Sequence, residues 1–506
     1  MLIRALRSYL PTLFFCGIFL STVPCKADIR LPALISDNMV LQQKTKATVW
    51  GAADPNEKIT VKIAEVSQNI TASADGHWAL KLPPLKAGGP FEMTISGRNR
   101  IVIHNVLVGE VWVCSGQSNM EWPVNGAKDA QSEIDAAKFP KIRMFAVEKK
   151  VSSTPESTCE GKWVICDPST VAAFSAVGYF FGRDLYNALK TPVGLITSAS
   201  GATSAEDWIP KEGFESDPNL RSVAAVQDVD PAMAKEEYKR RYADWVAESE
   251  KAKAENGTVP PEPAAPKIAA QPHPSSTSFN GMISPLLPYS IRGVIWYQGE
   301  SNTRNAPLYR KLFPALIQSW RRSWGEGDFP FLYVQLPNYL LKKTLPTNSS
   351  WAELREAQLM TLKIPKTAMA VTIDIGEDNL HPANKQDVGA RLALAARANV
   401  YGEGITASGP IFNSSKIDGN KIILSFKQVA GGLVAKGGEP LKGFAIAGDD
   451  KKFMWADAEI DGDKVIVHSD EVPKPVAVRY AWADNPYSNL CNKADLPASP
   501  FRTDDW

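Results

Sequence analysis

Ser118 is the first candidate for chemistry in this chain. The largely apolar run Val106 to Val113 leads into Gly116-Gln117-Ser118-Asn119-Met120 and ends there. A buried strand that breaks at Gly and Ser can present a serine nucleophile at the carboxyl edge of an α/β sheet. Because Gly and Ser are also ordinary turn residues, the motif indicates catalysis only if the chain supplies a base and an oxyanion site.

The base that activates a serine near neutral pH is most often histidine. The chain contains five histidines, and only His381 follows the end of a predicted α/β strand. The others lie in or beside predicted β-rich regions or in a proline-rich segment: His77, His104, His273 and His468. Elimination therefore favours His381 as the base.

Asp378 lies three residues before His381, so one local turn could bring its carboxylate to the imidazole. That contact would fix the imidazole tautomer and stabilise the imidazolium that forms when Ser118 loses its proton. Asp374 and Glu377 are competing carboxylates in the same segment, and all of these acids could instead be solvated loop residues.

Two further strand ends offer donors for an oxyanion. The strand ending near Thr197 leads to Gly201, whose backbone N–H could approach a substrate closely, and the strand ending at Tyr297 leads to Asn302, whose amide could reach the same point. Either motif alone is an ordinary turn. Together with Ser118 and His381, they make four strand-end loops that each supply one part of a hydrolase site.

The elements that carry these loops have the pattern of a doubly wound α/β domain with a parallel sheet. Apolar runs typical of strands covered on both faces are Val106 to Val113, Val193 to Thr197, Gly293 to Trp296, Phe331 to Leu336 and Met369 to Ile373. Amphipathic patterns predict helices at Val177 to Leu189, Tyr309 to Trp324 and Asn384 to Val400.

Short alternating strands with turn residues between them flank this domain on both sides. They predict a small β-sandwich over residues 28–105 and a second β-rich module over 403–506. The catalytic domain then spans 106–402 and is interrupted by a helical and proline-rich insertion at about 213–274. The length of 506 residues agrees with this number of domains.

Residues 1–27 predict an export signal, because two arginines precede the apolar stretch Leu10 to Leu20 and a cleavage site of small residues follows near Ala27. No later stretch predicts a membrane span. We therefore expect a periplasmic or extracellular protein. Its remaining cysteines include Cys159 and Cys166, which are close enough in sequence to bridge in an oxidising compartment.

The net charge of +1 gives no electrostatic reason to expect nucleic acid or an anionic membrane as partner, whereas a neutral partner such as carbohydrate is compatible. No Cys and His spacing is typical of a zinc site.

The motifs resemble those of the SGNH hydrolases. Gly116 to Met120, Gly299-Glu300-Ser301-Asn302, and Asp378 with His381 are similar to the first, third and fifth blocks of that superfamily. More narrowly, strings along nearly the whole mature chain resemble the sialate O-acetylesterase group of carbohydrate esterases: 36–42, 111–122, 279–283 and 496–502.

The resemblance implies an SGNH-hydrolase-like, flavodoxin-like sheet flanked by β-sandwich-like modules, and no cofactor or metal. It implies Ser118 as nucleophile, His381 as base oriented by Asp378, and an oxyanion hole formed by Gly201, Asn302 and the Ser118 N–H. One departure concerns the second block, where the family commonly has Gly-Gly-Thr and this chain has Ala202 in the middle. Residues in matching strings either line the sugar site or are packed loop residues: Gln117, Trp122, Gln298, Glu300 and Arg355.

The residues predict an exported serine hydrolase, and the resemblance implies an esterase that removes O-acetyl groups from sugar, with sialate esters as substrate. An acetylated xylan or another polysaccharide is the alternative substrate, and a catalytically silent carbohydrate-binding protein is the alternative function. A sialate carboxylate would favour a basic partner near the pocket, such as Arg355 or Arg391.

Overall fold

The computed structural model describes residues 28–215, 275–342 and 345–506, together with scattered positions between 216 and 274. The predicted export signal at 1–27 and most of the predicted insertion at 213–274 lie outside the described residues. Within the described part of the chain, no helix is both long enough and apolar enough to cross a membrane.

The N-terminal region consists of short strands in two sheets. Strand β2 pairs with β5, and β3 pairs with β4 and β6, all antiparallel. Burial alternates along β5, where Trp78 and Leu80 face inward. The sheet of β2 and β5 therefore has one face packed on the core and one face exposed to solvent. The strands are β1 (Val40–Gln42), β2 (Thr48–Ala52), β3 (Lys58–Ile63), β4 (Val66–Thr71), β5 (His77–Lys81) and β6 (Gly88–Ser96).

The middle of the chain contributes seven strands, in the order β13-β12-β11-β7-β10-β8-β9, to an 11-stranded sheet that continues through β7 into the N-terminal strands. All neighbours are parallel except β8 and β9, so the sheet is mixed. Its core, β10-β7-β11-β12-β13, has the flavodoxin-like order. The strands are β7 (Arg100–Gly116), β8 (Phe139–Ala146), β9 (Trp163–Cys166), β10 (Val193–Ala199), β11 (Gly293–Tyr297), β12 (Phe331–Gln335) and β13 (Thr367–Val371).

Strand β7 is much longer than the predicted run Val106 to Val113. Its first half pairs antiparallel with β6, and its second half, from Glu110 to Gly116, lies between β10 and β11. Residue 105, the predicted boundary between the first two domains, therefore lies inside a continuous strand. The polar residues at the start of β7 concealed this extension, because only its second half is buried on both faces.

Helices cover both faces of the central sheet. They are α1 (Ser118–Glu121), α2 (Ala130–Ala136), α3 (Ala176–Leu189), α4 (Lys211–Glu215), α5 (Ala306–Trp324), α6 (Ser350–Met360) and α7 (Lys385–Asn399). The three helices predicted from periodicity are confirmed as α3, α5 and α7, with ends that differ by at most three residues.

The side chains of two tryptophans show that α3 and α5 lie on opposite faces. Trp112 of β7 meets Phe181 of α3 edge to face, and Trp296 of β11 meets Trp320 of α5. Trp296 is in register with Ser115, which is an odd number of residues from Trp112 and so points to the other face. Helix α7 packs on α3, and α6 packs on α5.

The C-terminal region is rich in strands, as expected from its sequence. Two four-stranded sheets have the orders β14-β15-β20-β19 and β18-β17-β21-β23, and β16 pairs with β22. The strands are β14 (Ile411–Asp418), β15 (Lys421–Lys427), β16 (Leu433–Ala435), β17 (Phe444–Ala447), β18 (Phe453–Trp455), β19 (Asp457–Asp461), β20 (Lys464–His468), β21 (Ala477–Tyr480), β22 (Leu490–Asn492) and β23 (Phe501–Arg502). The four described cysteines, Cys159 and Cys166 among them, are free thiols.

Candidate active site

The carboxyl ends of β7, β10 and β11 are interlocked by backbone hydrogen bonds. Gln117 N–H donates to the Tyr297 carbonyl at 3.0 Å, and Ser200 N–H donates to the Gly116 carbonyl at 3.1 Å. Gly116 has a φ of +138°, and a Cβ there would lie 2.1 Å from the Tyr297 carbonyl oxygen. Only glycine fits this approach, so the turn that presents Ser118 depends on it.

Ser118 begins α1, and the structure places it beside His381. His381 Nε2 lies 2.9 Å from Ser118 Oγ. The imidazole stacks on Trp122, with ring centroids 4.7 Å apart and an interplanar angle of 13°. Partial burial and the positive charge of Lys385 lower the pKa of His381 below 6.5, so its neutral, proton-accepting form is favoured.

The loop before His381 contains three carboxylates with different surroundings. Asp374 forms a bidentate ion pair with Arg391, whose two terminal nitrogens donate to the two carboxylate oxygens at 2.6 and 2.9 Å. Glu377 accepts hydrogen bonds from Asn379 and from the Ala383 N–H, both at 2.8 Å, and thereby shapes the loop. Asp378 is exposed, and among the described residues no hydrogen bond joins its carboxylate to His381 or to another group. Of these acids only Asp378 is uncommitted.

The predicted oxyanion donor Gly201 lies beside Ser118, but its N–H is occupied. A Cβ added to Gly201 would lie 3.4 Å from Ser118 Cβ, which shows how closely the two loops approach. Gly201 N–H donates to Glu121 Oε2 at 2.9 Å, and Lys149 pairs with the other oxygen of that carboxylate at 2.5 Å. The next residue, Ala202, has a φ of +62°, so the departure from glycine puts a side chain on left-handed backbone.

Asn302 is held at the end of β11 by contacts on both ends of its amide. Its Oδ1 accepts from the Ala205 N–H at 2.9 Å and from Gln298 Nε2 at 2.7 Å. Its Nδ2 donates to Glu206 at 2.8 Å, which uses one of its two protons. The other amide proton is uncommitted among the hydrogen bonds of the described residues, and so is the Ser118 N–H.

A shallow groove of about 450 Å³ opens at Ser118 and His381. Its other lining residues are Glu121, Trp122, Pro123, Asn125 and Ala173. Trp122 is thus the one predicted substrate residue that lines this groove. Gln117, Gln298 and Glu300 are buried beneath the surface, where Gln117 Oε1 accepts the Gly299 N–H at 3.2 Å and Gln298 supports Asn302.

The predicted contact between Arg355 and substrate is not supported. Arg355 is fully buried, and its guanidinium donates to the carbonyls of Leu336, Pro337, Ala483 and Asp484. It therefore ties the end of β12 to the C-terminal region. The sequence pattern did not reveal this role because the carbonyl partners lie up to 129 residues away.

A buried cluster below the catalytic pair was not predicted from the sequence. Lys385 Nζ donates to Asn119 Oδ1 at 2.5 Å, and Asn119 Nδ2 donates to Glu300 Oε1 at 2.6 Å and to the Leu380 carbonyl at 2.9 Å. One signal was available: a lysine in the first turn of a predicted helix opposes the helix dipole and calls for a specific partner.

Similarity to known proteins identifies the family of this chain. The sequence matches the family model described as carbohydrate esterase, sialic acid-specific acetylesterase, over residues 108–233 and 243–398, more than half of the chain. The chain belongs to this family. It is therefore a carboxylic ester hydrolase.

The similarity of this carbohydrate esterase to known proteins extends beyond the residues that the family model matches. The chain is 30% identical to the sialate O-acetylesterase of Mus musculus, with 93% of this chain and 94% of that protein covered. It is 33% identical to that of Rattus norvegicus over 76% of each chain. A carbohydrate acetylesterase from Xanthomonas citri has a crystal structure with a TM-score of 0.82 and 37% identity, covering 94% of this chain and 100% of that one.

Proposed function

We propose that this protein removes O-acetyl groups from carbohydrate through an acetyl-enzyme on Ser118, with O-acetylated sialic acid as its substrate. The 2.9 Å contact between Ser118 Oγ and His381 Nε2, in an open groove at the carboxyl edge of the sheet, carries the proposal. Membership of an acetylesterase family and the names of the mammalian relatives support the substrate class.

Ser118 Oγ attacks the acetyl carbonyl while His381 Nε2 takes the hydroxyl proton. The tetrahedral intermediate collapses as the bond between the acetyl carbon and the sugar oxygen breaks and His381 gives its proton to that oxygen, which leaves an acetyl ester on Ser118. Water then attacks this ester while His381 takes a proton from it. The bond to Ser118 Oγ breaks as His381 returns the proton to that oxygen, and acetate leaves. The stack of Trp122 on the imidazole supports this role, because it restricts the ring to the orientation that faces Ser118.

The charge on the tetrahedral oxygen needs donors that are already in position. The Ser118 N–H and the uncommitted proton of Asn302 Nδ2 are proposed for this task, and the buried contacts of Asn302 support it. The Gly201 N–H is a third donor, and it becomes available when substrate displaces the Glu121 carboxylate.

Asp378 is proposed to orient His381 through its second ring nitrogen, Nδ1. The support is by elimination, because Asp374 is paired with Arg391 and Glu377 is bonded within the loop. Closing the contact requires a local change of the exposed loop around Asp378 when substrate binds.

A second substrate class, acetylated neutral polysaccharide such as xylan, is favoured by one observation. Neither basic residue expected to meet a sialate carboxylate is free for it, since Arg355 is buried on carbonyls and Arg391 is paired with Asp374. The charged residue that lines the groove is acidic, Glu121.

Acetate release from O-acetylated sialic acid and from acetylated xylan, measured side by side, tests the proposed substrate. We expect turnover of the sialic acid ester to be the faster of the two. Turnover of xylan alone would reject sialate as the substrate while leaving the acetyl transfer chemistry in place.

We also infer that residues 1–27 direct export and that the fold is of the SGNH-hydrolase type, with a catalytic unit over 106–402 between β-rich regions at 28–105 and 403–506. The flavodoxin-like strand order supports the fold. The charged start and apolar middle of the first 27 residues support export.

A further inference from the structure

Asn119, the residue after Ser118, links the turn that holds Ser118 to the loop that holds His381. Its Nδ2 donates to the carbonyl of Leu380, the residue directly before His381, at 2.9 Å. One side chain therefore joins the segments that carry the two members of the catalytic pair.

The orientation of this amide is fixed from both ends. Burial lowers the pKa of Lys385 to about 7, so over the acidic range below that pH its side chain is an ammonium. An ammonium can only donate, so it requires Oδ1 of Asn119, which lies 2.5 Å away. Glu300 Oε1 and the Leu380 carbonyl accept, so they require Nδ2. A reversed amide would put its N–H₂ against an ammonium and its oxygen against two acceptors. Asn119 therefore has one stable orientation.

Lys385 is fully buried, which is rare for a lysine and needs compensating contacts. The groups that face it are Asn119, the ring of Tyr297 at 5.5 Å, and the carboxylates of Glu300 and Glu377. Glu300 Oε2 is also buried and has no hydrogen-bond partner among the described residues. A stable fold does not require a cation at this depth, so its position beneath the catalytic pair suggests a task in the reaction.

We propose that Lys385 is a positioning residue for the proposed ester hydrolysis: its ammonium locks Asn119, which in turn holds the Ser118 turn against the His381 loop. Lys385 also acts on His381 through space, because its positive charge lowers the pKa of the imidazole. The inference rests on the proposed function in so far as Ser118 and His381 are the reacting groups.

The other charged groups around His381 are paired, bonded within their own loop or exposed to solvent. Glu121 lines the same groove as His381 and is paired with Lys149. Glu377 is bonded within its loop, and Asp378 is exposed. Removal of the Lys385 charge should therefore raise the pKa of His381, because the imidazolium is no longer repelled. The fall in rate on the acidic side of the pH–rate profile, its acid limb, should then move to higher pH.

Lys385→Met tests this proposal on 4-nitrophenyl acetate, whose hydrolysis reports acetyl transfer whatever the natural sugar is. We expect kcat to fall by about tenfold or more, as when a reacting group is misplaced, with KM little changed. We also expect the acid limb of kcat to move to higher pH, and the pKa of His381 measured by imidazole NMR to rise with it. Lys385→Arg, which keeps a cation, should retain the wild-type limb.

Two further variants separate positioning from simple stability. Asn119→Ala cuts the link but leaves the lysine, so kcat should fall without a shift of the acid limb. Arg143→Met removes another buried cation, one bonded to Asn38 and Asn105 far from the groove, and should lower stability while kcat and the limb stay unchanged.

A folded Lys385→Met enzyme with wild-type kcat and an unmoved acid limb would overturn the proposal. If Lys385→Met does not fold, unchanged kcat in Asn119→Ala would overturn it instead. Failure of the proposed function has a different signature, in which the wild-type enzyme hydrolyses 4-nitrophenyl acetate but releases no acetate from any acetylated sugar.

Discussion

The carboxylate of Glu121 accepts a hydrogen bond at 2.9 Å from the Gly201 N–H, the backbone donor proposed above for the oxyanion site. We predict that Glu121→Ala raises kcat for acetyl ester hydrolysis, because the donor is freed and a negative charge leaves the groove. The increase in kcat should not exceed roughly a factor of 100, which is what one oxyanion donor contributes. Steady-state kinetics on an acetyl ester measures it.

Lys149→Met is the companion variant, because it removes the partner of Glu121 and leaves the Gly201 contact intact. It should not raise kcat. A loss of up to about hundredfold in Glu121→Ala, the effect of a displaced reacting group, would show instead that Glu121 holds the Gly201 loop in its working form.

Asn302→Ala should lower kcat by about 10²–10³, the effect of removing one oxyanion donor. Its loss also leaves Glu206 without a buried partner, so thermal stability should drop as well. Asn305→Ala is a matched control on the same segment, since Asn305 only caps α5 and its loss should cost about 1 kcal/mol with kcat unchanged. Wild-type kcat in Asn302→Ala would remove Asn302 from the oxyanion site.

The pH dependence follows from the lowered pKa of His381. Activity requires the neutral imidazole, so kcat/KM should fall as the pH drops through the pKa of His381 in the folded enzyme, at a pH below the ordinary 6.5. At pH 6.5, where a free histidine is half protonated, the enzyme should therefore keep more than half of its activity. An acid limb at or above 6.5 would contradict the burial and charge that surround the imidazole.

Ala202→Gly should stabilise the protein by about 1 kcal/mol, because the residue has a φ of +62° and a Cβ is unfavourable there. Chemical denaturation measures the difference. Ala205→Gly, three residues on in a helical turn without positive φ, should instead be destabilising. A loss of stability in Ala202→Gly would mean that the methyl group makes contacts worth more than the strain.

The sequence predicted those parts of the molecule that follow from local pattern. Apolar runs identified the parallel strands because both faces of the sheet are covered, and the residues at strand ends converge because parallel strands end at one edge. Ser118 and His381 meet for that reason although they lie 263 residues apart.

Contacts that depend on side-chain direction could not be read in this way. Whether Arg355 points to a groove or into the interior depends on the C-terminal region that packs against it. The bond between Glu121 and Gly201 joins residues 80 positions apart, and nothing in either motif specifies it. Hydrophobic periodicity likewise carries no information on the polar cluster around Asn119.

Hydrolysis of an O-acetylated sugar by Ser118→Ala is the most direct test of the proposed mechanism. We predict the loss of nearly all acetate release. The remaining rate should be about 10³–10⁴ times the uncatalysed rate in water, which is what remains when a triad member is removed. The circular dichroism spectrum and Tm should be unchanged. Substantial turnover by a folded Ser118→Ala enzyme would contradict an acetyl-enzyme on this serine.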